Sequence, residues 1–181
     1  MSIAEKLDTL RLGPQLNGIA LAPAEFDAIT DYDANYQYEL IHGVLIVNPI
    51  PSQQERDPNG ELEYLLRHYQ YDHPQGQQLD ATLTEEYIHT PHGRRIADRV
   101  IWAGLGRVPD PRADVPTIVV EFVSAGRRNW LRDYVDKKNE YLALGVCEYW
   151  ILDRFRRTLT VHQKTTTGSR EQTVAESDTY T

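Results

Sequence analysis

The run Thr117–Val123, TIVVEFV, constrains the fold more than any other stretch of this sequence. Its nearly continuous apolar character is typical of a central strand that is covered on both faces of a sheet. A helix is predicted from about Trp130 to Leu144, ended by Gly145, and a second apolar strand follows at Cys147–Leu152. A connection of this length suits a crossover between parallel strands. We therefore expect a sheet with a parallel pair of strands and helices on its faces.

The remaining predicted elements alternate between helices and strands. They are helices over 23–30 and 59–72, two strands in 36–48 joined around His42-Gly43, short strands in 77–103 with a turn at 91–93, a loop over 104–116, and a hairpin of strands 147–152 and 158–162. Asn59 is expected to cap its helix, and the apolar face of that helix is predicted to hold Leu62, Leu65, Leu66 and Tyr69. The predicted fold class is α+β, or mixed α/β, with a central mixed sheet flanked by helices and an N-terminal helix and β-hairpin.

Length and composition favour a single globular domain. The chain has 181 residues, of which 40% are hydrophobic and 25% charged, so one domain over 1–181 is expected. It has an N-terminal extension to about residue 20 and a polar tail from about residue 164, whose threonines also permit a strand. The single Cys147 excludes an internal disulfide and a multi-cysteine zinc site. No apolar run approaches the ~20 residues that span a bilayer, and no signal-peptide pattern opens the sequence, so a cytoplasmic protein is predicted.

The charge of the chain is distributed unevenly. The net charge is -8, with 4 basic and 15 acidic residues in 1–90 against 15 basic and 12 acidic residues in 91–181. The first half therefore carries -11 and the second +3. A basic half on an acidic protein can still meet a phosphate backbone locally. A solvated surface of mixed charge is the alternative interpretation.

Glu121 breaks the apolar run of its strand. An ionised carboxylate is costly there unless it is paired, hydrogen-bonded or bound to a metal, and pairing of a strand-end glutamate with an arginine is the ordinary explanation. Asp98 opens another apolar strand, 96–103. If the two strands pair antiparallel across the loop 104–116, Asp98 and Glu121 come to the same end of the sheet. Two convergent carboxylates make a hard-oxygen site suited to Mg²⁺ or Mn²⁺.

The helix after this strand offers a lysine. Asp133, Lys137 and Tyr141 recur along one side of the helix, but Lys138 falls nearer to the middle of its apolar stripe. Periodicity alone therefore favours Lys138 as the inward lysine, and a surface lysine is the alternative for both. A lysine beside two metal-binding carboxylates suits phosphodiester hydrolysis, because it can orient the attacking water or stabilise the developing charge.

Five ordered pieces of the sequence resemble a known family. They are Tyr38–Gly43, Ala97–Val100, Val119–Ser124, the spacing Asp133-x-x-x-Lys137-x-x-x-Tyr141, and Gly145–Asp153. Together they resemble the Uma2 family, formerly the DUF820 proteins, which is placed among the restriction-endonuclease-like PD-(D/E)XK nucleases. The similarity runs from about Leu21 to His162. It implies a mixed sheet flanked by helices and a metal-dependent endonuclease that hydrolyses phosphodiester bonds in DNA.

The resemblance also implies roles for particular residues. Asp98 matches the metal-binding aspartate of the family, Glu121 the acidic residue of the next strand, and Lys137 the family lysine. Glu39 matches the glutamate of an N-terminal Tyr-Glu-Leu motif that approaches the metal in related nucleases, with an ordinary hairpin glutamate as an equal alternative. The implied cofactor is Mg²⁺ or Mn²⁺, bound by Asp98 and Glu121. Because resemblance favours Lys137 and periodicity Lys138, Lys138 is kept in reserve.

Three departures from the family pattern affect the functional interpretation. Ala97 replaces the proline of the Pro-Asp motif, which leaves the aspartate in place. Val123 stands two residues after the strand glutamate, where the superfamily usually has its lysine, so the nuclease interpretation depends on a lysine from the helix. Residues 52–56 lack the histidine that many members have there. Asp110 and Asp114 are rival aspartates in the Pro-rich loop.

DNA is the expected partner. The basic residues predicted to hold its backbone are Arg94, Arg95, Arg99, Arg127, Arg128, Arg132 and Lys138. The second hypothesis is a non-catalytic nucleic-acid- or protein-binding module on a nuclease fold. In that case the acidic N-terminal half serves as an interaction or homodimer surface.

Overall fold

The computed structural model describes residues 10–124 and 132–180, and only the backbone of residues 132 and 133. Within this part of the chain, eight strands form one large mixed sheet, and three α-helices accompany it. This confirms the predicted α+β class. Internal contacts divide the chain into two compact units, one of residues up to 52 with 87–96 and the other of residues 53–86 with those from 97 onward. The single-domain assignment over 1–181 stays a prediction.

The first unit is built around a β-hairpin. Its elements are β1 (Arg11–Leu12), α1 (Pro23–Ala28), β2 (Asp31–Tyr32), β3 (Tyr36–Ile41) and β4 (Val44–Pro49). The strands β3 and β4 pair antiparallel, joined by His42 and Gly43, whose φ angles of 50° and 79° suit the primed turns of two-residue hairpins. Leu12, Tyr38 and Leu45 form the buried core of this unit.

The second unit holds most of the sheet. Its elements are α2 (Gln53–Asp72), β7 (Ile118–Phe122), a π-helical segment (Arg132–Lys137), α3 (Lys138–Leu144), β8 (Glu148–Asp153), β9 (Thr158–Thr165) and β10 (Gly168–Ala175). The hairpin strands β5 (Leu79–Thr90) and β6 (Gly93–Ala103) contribute residues to both units. Within the second unit the strand order is β10-β9-β8-β7-β6. The strands β7 and β8 are parallel, as the predicted crossover requires, and β6 and β7 are antiparallel.

The helix α2 begins six residues before its predicted start. Asn59 is therefore not a cap but a buried residue inside the helix. Leu62 and Leu66 pack on a buried apolar cluster of Leu79, Ile101 and Val120. Leu65 and Tyr69, which were predicted on the same face, are 59% and 39% exposed. The inward face was predicted wrongly for Leu65 and Tyr69 because the first turns of α2, before residue 59, were not included. Those turns and the buried Asn59 fix which face of the helix points inward.

Two further outcomes concern the C-terminal half. Gly145 ends α3 with a φ of 117°, in the region that glycine tolerates better than other residues. The polar tail contains β10, which pairs antiparallel with β9. Trp130, the predicted start of the preceding helix, lies outside the described residues. Nowhere in 10–124 or 132–180 does a helix have the length and apolar character to cross a membrane.

Candidate active site

Asp98 and Glu121 are brought together by the pairing of β6 and β7. Arg99 faces Val120 and Val100 faces Val119, so one further step in the same register places Asp98 opposite Glu121. Directly opposed residues of an antiparallel pair point to the same face of the sheet. Asp98 Oδ2 accepts a hydrogen bond of 2.7 Å from the backbone N–H of Phe122. The predicted convergence of these two acids is therefore present in the strand pairing.

Glu121 is a buried carboxylate with a cationic partner. Its side chain is 2% exposed, and Lys137 Nζ lies 2.8 Å from its Oε2. Tyr141 Oη stands 3.5 Å from Oε1, at the outer limit of a hydrogen bond. Lys137 is itself only 3% exposed. Burying an ion pair this deeply costs desolvation free energy, and only close contacts between the two charges offset that cost. The arginine partner of the ordinary explanation is replaced here by a lysine.

The structure distinguishes the two candidate lysines. Lys137 contacts Glu121, whereas Lys138 is half-buried on the neighbouring side of the helix. The reason is the π-helical segment Arg132–Lys137, which precedes α3. A π-helix closes its hydrogen bonds at i→i+5 and contains more residues per turn. The phase of an ideal α-helix is therefore shifted across this segment, and simple periodicity selected the wrong lysine as the inward one.

The backbone of Asp98 is held from α2 by Asn59. The side-chain Nδ2 of Asn59 donates to the carbonyl oxygen of Asp98 at 2.6 Å and to Thr84 Oγ1 at 2.9 Å. Its Oδ1 accepts from Arg99 Nε at 2.6 Å. Arg99 also bonds Glu63 at 2.9 Å. Sequence reasoning missed this role, although a polar residue on the apolar side of a helical pattern was the available signal.

Glu39 belongs to the first unit. It lies on β3, is 4% exposed, and accepts a hydrogen bond of 3.0 Å from the backbone N–H of Ile96 through Oε1. The neighbouring Tyr87 donates to the carbonyl of Tyr38 at 2.7 Å. Burial, and then the charge of Glu39, raise the pKa of the Tyr87 hydroxyl. Glu39 is thus a buried, hydrogen-bonded carboxylate of the hairpin, and its catalytic role stays a prediction.

Three of the arginines predicted to hold a DNA backbone are buried or paired with a carboxylate, and their role in DNA binding stays a prediction. Arg95 and Arg99 are each 1% exposed. Arg94 is 11% exposed and binds both carboxylate oxygens of Asp27, at 2.8 Å and 2.6 Å. All three lie on β6, which carries them into packed or ion-paired positions. Of the remaining predicted contacts, Arg127 and Arg128 lie outside the described residues, as does the side chain of Arg132.

An exposed arginine cluster that sequence reasoning missed follows β8. The turn Arg154–Arg157, with the sequence RFRR, is exposed throughout. Because β7 and β8 are parallel and pair Phe122 with Leu152, their carboxyl ends meet at one edge of the sheet. Glu121 lies one residue from that end of β7, so the turn lies at the same edge. The available signal was a basic run with an aromatic residue between two predicted strands.

The donor set of the site suits a hard divalent cation. Asp98 and Glu121 supply carboxylate oxygens, the ligands that Mg²⁺ and Mn²⁺ prefer. In the described ranges, no group of three or more histidine, cysteine, aspartate or glutamate side chains is arranged to hold a metal ion. The rival Asp114 is bound by Arg107 at 2.6 Å through both of its oxygens. These hydrogen bonds to Arg107 lower the pKa of Asp114 to about 2. Asp114 is therefore committed within its loop.

The protein has an α+β fold in which two adjacent strands bring Asp98 and Glu121 together beside the buried Lys137 of the following helix. The family model described as "Uma2: Putative restriction endonuclease" matches residues 23–181, and the chain belongs to this family. A crystal structure described as "a putative nuclease belonging to DUF820 from Anabaena variabilis ATCC 29413" has a similar fold. The TM-score is 0.67 at 15% identity, and the match covers 88% of this chain and 87% of that one. No curated protein matches the chain.

Proposed function

We propose that the protein is a metal-dependent endonuclease that hydrolyses phosphodiester bonds in DNA. The observation that carries the proposal is the buried contact of 2.8 Å between Lys137 and Glu121, next to Asp98 in the strand register. Burying a carboxylate and an ammonium group costs desolvation free energy that an apolar pair of the same volume would not. The presence of this ion pair therefore favours a chemical role for it. Perturbed charges of this kind concentrate at functional sites. Family membership supports the same reaction class.

Each residue has a distinct part in the proposed reaction. Asp98 and Glu121 would hold Mg²⁺ or Mn²⁺, which supplies the acidification of a bound water and the screening of phosphate charge. The N–H of Phe122 fixes one oxygen of Asp98, so the direction of that carboxylate is set before substrate binds. Lys137 would donate to the attacking water or to a phosphate oxygen that gains charge. Tyr141 limits the rotation of the Glu121 carboxylate by its contact with Oε1.

The valine after the strand acid is compatible with this assignment. Val123 occupies the position where the superfamily usually has a lysine, and it is 6% exposed. Lys137 brings an ammonium group to the strand glutamate from the following helix instead. The charge that the reaction requires is thus supplied by a different element. Lys138 is the matched control, because it is adjacent in sequence and has no contact of this kind with Glu121.

A cleavage assay tests the proposal. Supercoiled plasmid and labelled oligonucleotides are incubated with Mn²⁺ and wild-type protein, Asp98→Asn, Glu121→Gln or Lys137→Met. We expect each variant to lose at least about 100-fold in rate, because each removes a group that acts on the transition state. Lys138→Met and Asp114→Asn should cleave within about threefold of wild type. Equal cleavage by wild type and Asp98→Asn would exclude the assigned site.

A non-catalytic binding module is the second candidate function. It is favoured by Val123 at the usual lysine position and by Lys137 already lying against Glu121, an arrangement that neutralises the carboxylate without a metal. Calorimetric titration with Mn²⁺ separates the two functions. A module that only binds DNA or protein has no need for a cation at Asp98 and Glu121. Titration heat that disappears in Asp98→Asn supports the nuclease.

A further inference from the structure

The turn between β8 and β9 is a fixed structure although it is exposed. Asp153, which is 4% exposed, accepts hydrogen bonds of 3.0 Å from the backbone N–H groups of Phe155 and Arg156 through the same Oδ1. An aspartate carboxylate that accepts hydrogen bonds from the backbone N–H groups two and three residues later forms a tight Asx-type turn. Arg157 adopts a φ of 55° at its end. The backbone that carries Phe155 is therefore held from inside the protein.

Arg154 anchors the turn to α2 from the other side. Pro58 lies inside α2 and has no N–H to donate to the carbonyl four residues earlier. That carbonyl belongs to Gln54, and Arg154 Nη1 donates to it at 2.9 Å. The guanidinium group of Arg154 also lies over the ring of Phe155, 4.9 Å from its centroid. The aromatic ring is therefore presented on a rigid support, with 58% of Phe155 exposed.

A cleft adjoins this turn. Its volume is about 480 Å³. Apolar side chains that include Phe122, Leu152 and Leu159 line it, and Arg154 and Arg157 stand at its margin. Phe122 follows Glu121 in β7, and successive residues of a strand point to opposite faces, so the cleft lies at the same end of the sheet as the candidate active site but on the face opposite the Glu121 side chain. Phe155 and Arg156 stand beside this lining, between Arg154 and Arg157 in the turn.

The charges around the turn are mixed, which restricts what it can recognise. Arg157 is paired with Glu176, and Arg156 Nε lies 3.7 Å from Asp153 Oδ2. Asp178 also lines the cleft. A duplex is held chiefly through its phosphates, and this surface has too balanced a charge for that task alone. An unpaired nucleotide combines a base that stacks on an aromatic ring with one nearby phosphate.

We propose that the turn Arg154–Arg157 and the cleft beside it bind an unpaired nucleotide of a single-stranded DNA segment. Phe155 stacks on the base, and the exposed Arg156 contacts the phosphate. The inference rests on the proposed function in naming DNA as the substrate. It adds that the strand is unpaired at the end of the sheet where the candidate active site also lies, so single strands, flaps or bubbles are favoured over uninterrupted duplex.

Fluorescence anisotropy in EDTA measures binding without cleavage. The probes are a labelled oligo(dT) and a labelled duplex of equal phosphate number. Wild type should bind oligo(dT) at least about tenfold more tightly than the duplex. Phe155→Ala should weaken oligo(dT) binding by about 5- to 100-fold, the range for one stacked base, and Arg156→Gln by a smaller factor. The binding constant of the duplex should change by less than about twofold in Phe155→Ala.

Two matched controls stand elsewhere in the second unit. Tyr71→Ala removes an aromatic residue that is 78% exposed on α2, and Arg112→Gln removes an exposed arginine of the loop before β7. Neither should change oligo(dT) affinity by more than about twofold. Absence of oligo(dT) binding by wild type, equal affinity for both probes, or unchanged affinity of Phe155→Ala would each overturn the inference. A protein that binds as expected but does not cleave with Mn²⁺ keeps this inference and loses the nuclease assignment.

Discussion

At the scale of single residues, the molecule is organised around one buried ion pair. Glu121 and Lys137 are 2% and 3% exposed and lie 2.8 Å apart. Each depends on the other, because removal of one leaves a charge in a site that water does not reach. The pair therefore links the conformation of the π-helical segment to the end of β7. Its removal should affect both stability and activity, and the two effects must be measured separately.

We expect Lys137→Met to lower the free energy of unfolding by about 3–5 kcal/mol, because Glu121 is left buried without its counter-charge. Lys138→Met should change it by less than about 1 kcal/mol. The double variant Lys137→Met/Glu121→Leu should recover most of the loss, since an apolar pair suits the same space. Urea denaturation at neutral pH measures all three. Similar losses in Lys137→Met and Lys138→Met would show that the ion pair contributes little to stability.

His162 makes folding sensitive to pH in a defined direction. It is 2% exposed, its ring stacks on Tyr149, and its Nδ1 lies 3.6 Å from Glu171 Oε2. Burial lowers the pKa of His162, Lys138 adds to the lowering, and Glu171 opposes it. The folded protein therefore favours the neutral ring, and the unfolded chain takes up the proton more readily. Stability is lost as the pH falls below about 6.5, the ordinary histidine value, towards the lower folded pKa.

The corresponding prediction compares urea midpoints at about pH 7.5 and about pH 5.5, on either side of the ordinary histidine pKa. Wild type should lose stability across this interval, and His162→Gln should lose less, because it cannot be protonated. His68→Gln is the control, since His68 is 57% exposed and lies beside Asp72. A pH dependence in His162→Gln equal to that of wild type would contradict the assignment.

At the scale of elements, α2 and β6 are joined by polar side chains rather than by apolar packing alone. Asn59 bridges the carbonyl of Asp98 and the guanidinium group of Arg99. Arg99 Nη1 also donates to Thr82 on β5 at 2.9 Å. The network therefore fixes the backbone on which the candidate metal ligand stands. Fully satisfied networks of this kind specify one arrangement of their elements.

Asn59→Asp separates the hydrogen bonds that the Asn59 side chain donates, to Asp98 and Thr84, from the one that it accepts from Arg99. The new side chain still accepts from Arg99, but it has no N–H for the carbonyl of Asp98. We expect amide exchange at Phe122 to accelerate by about tenfold, equivalent to ~1.4 kcal/mol, because the Asp98 carboxylate that accepts this N–H is less well held. Thr82→Val removes one partner of Arg99 and should leave exchange at Phe122 within about twofold. Unchanged exchange in Asn59→Asp would refute the positioning role of Asn59.

At the scale of the whole molecule, the proposed DNA binding would depend on a local surface, because the protein as a whole is acidic. The net charge is -8, so long-range attraction does not assist the approach of DNA. The affinity should then depend on few contacts. With Arg156 as the assigned phosphate contact, the logarithm of the oligo(dT) binding constant should fall with the logarithm of salt concentration with a slope of about -0.7. Anisotropy titrations at several salt concentrations measure the slope, and a value near -6 would indicate a much larger phosphate-binding surface.

Several features followed from sequence patterns because they depend on local chemistry. The apolar run around Glu121, the helix after it and Gly145 predicted a parallel crossover, which β7 and β8 form. The start of β6 and the end of β7 predicted that Asp98 and Glu121 converge. The antiparallel register of β6 and β7, in which Arg99 faces Val120, supports this convergence. These predictions are correct because a buried strand requires an apolar run and a helix commonly ends at a glycine, and both are visible in the sequence.

Other features depended on contacts between distant residues. Arg99 is of a residue type that is usually exposed, yet it is buried, because its polar partners Asn59 and Glu63 come close only in the folded chain. The π-helical segment has no simple periodic signal, so the choice of Lys137 over Lys138 could not be made from spacing alone.

The sequence by itself determined the class of fold, the crossover and the choice of Asp98 and Glu121 as candidate acids. Hydrophobic periodicity and the order of elements can both be read from the sequence. Only the tertiary structure decided which lysine meets Glu121, which arginines remain exposed, and that Asn59 holds Asp98 from α2. These outcomes depend on the phase of a helix and on hydrogen bonds between residues far apart in the chain. The free energies of such contacts arise when water is excluded around them.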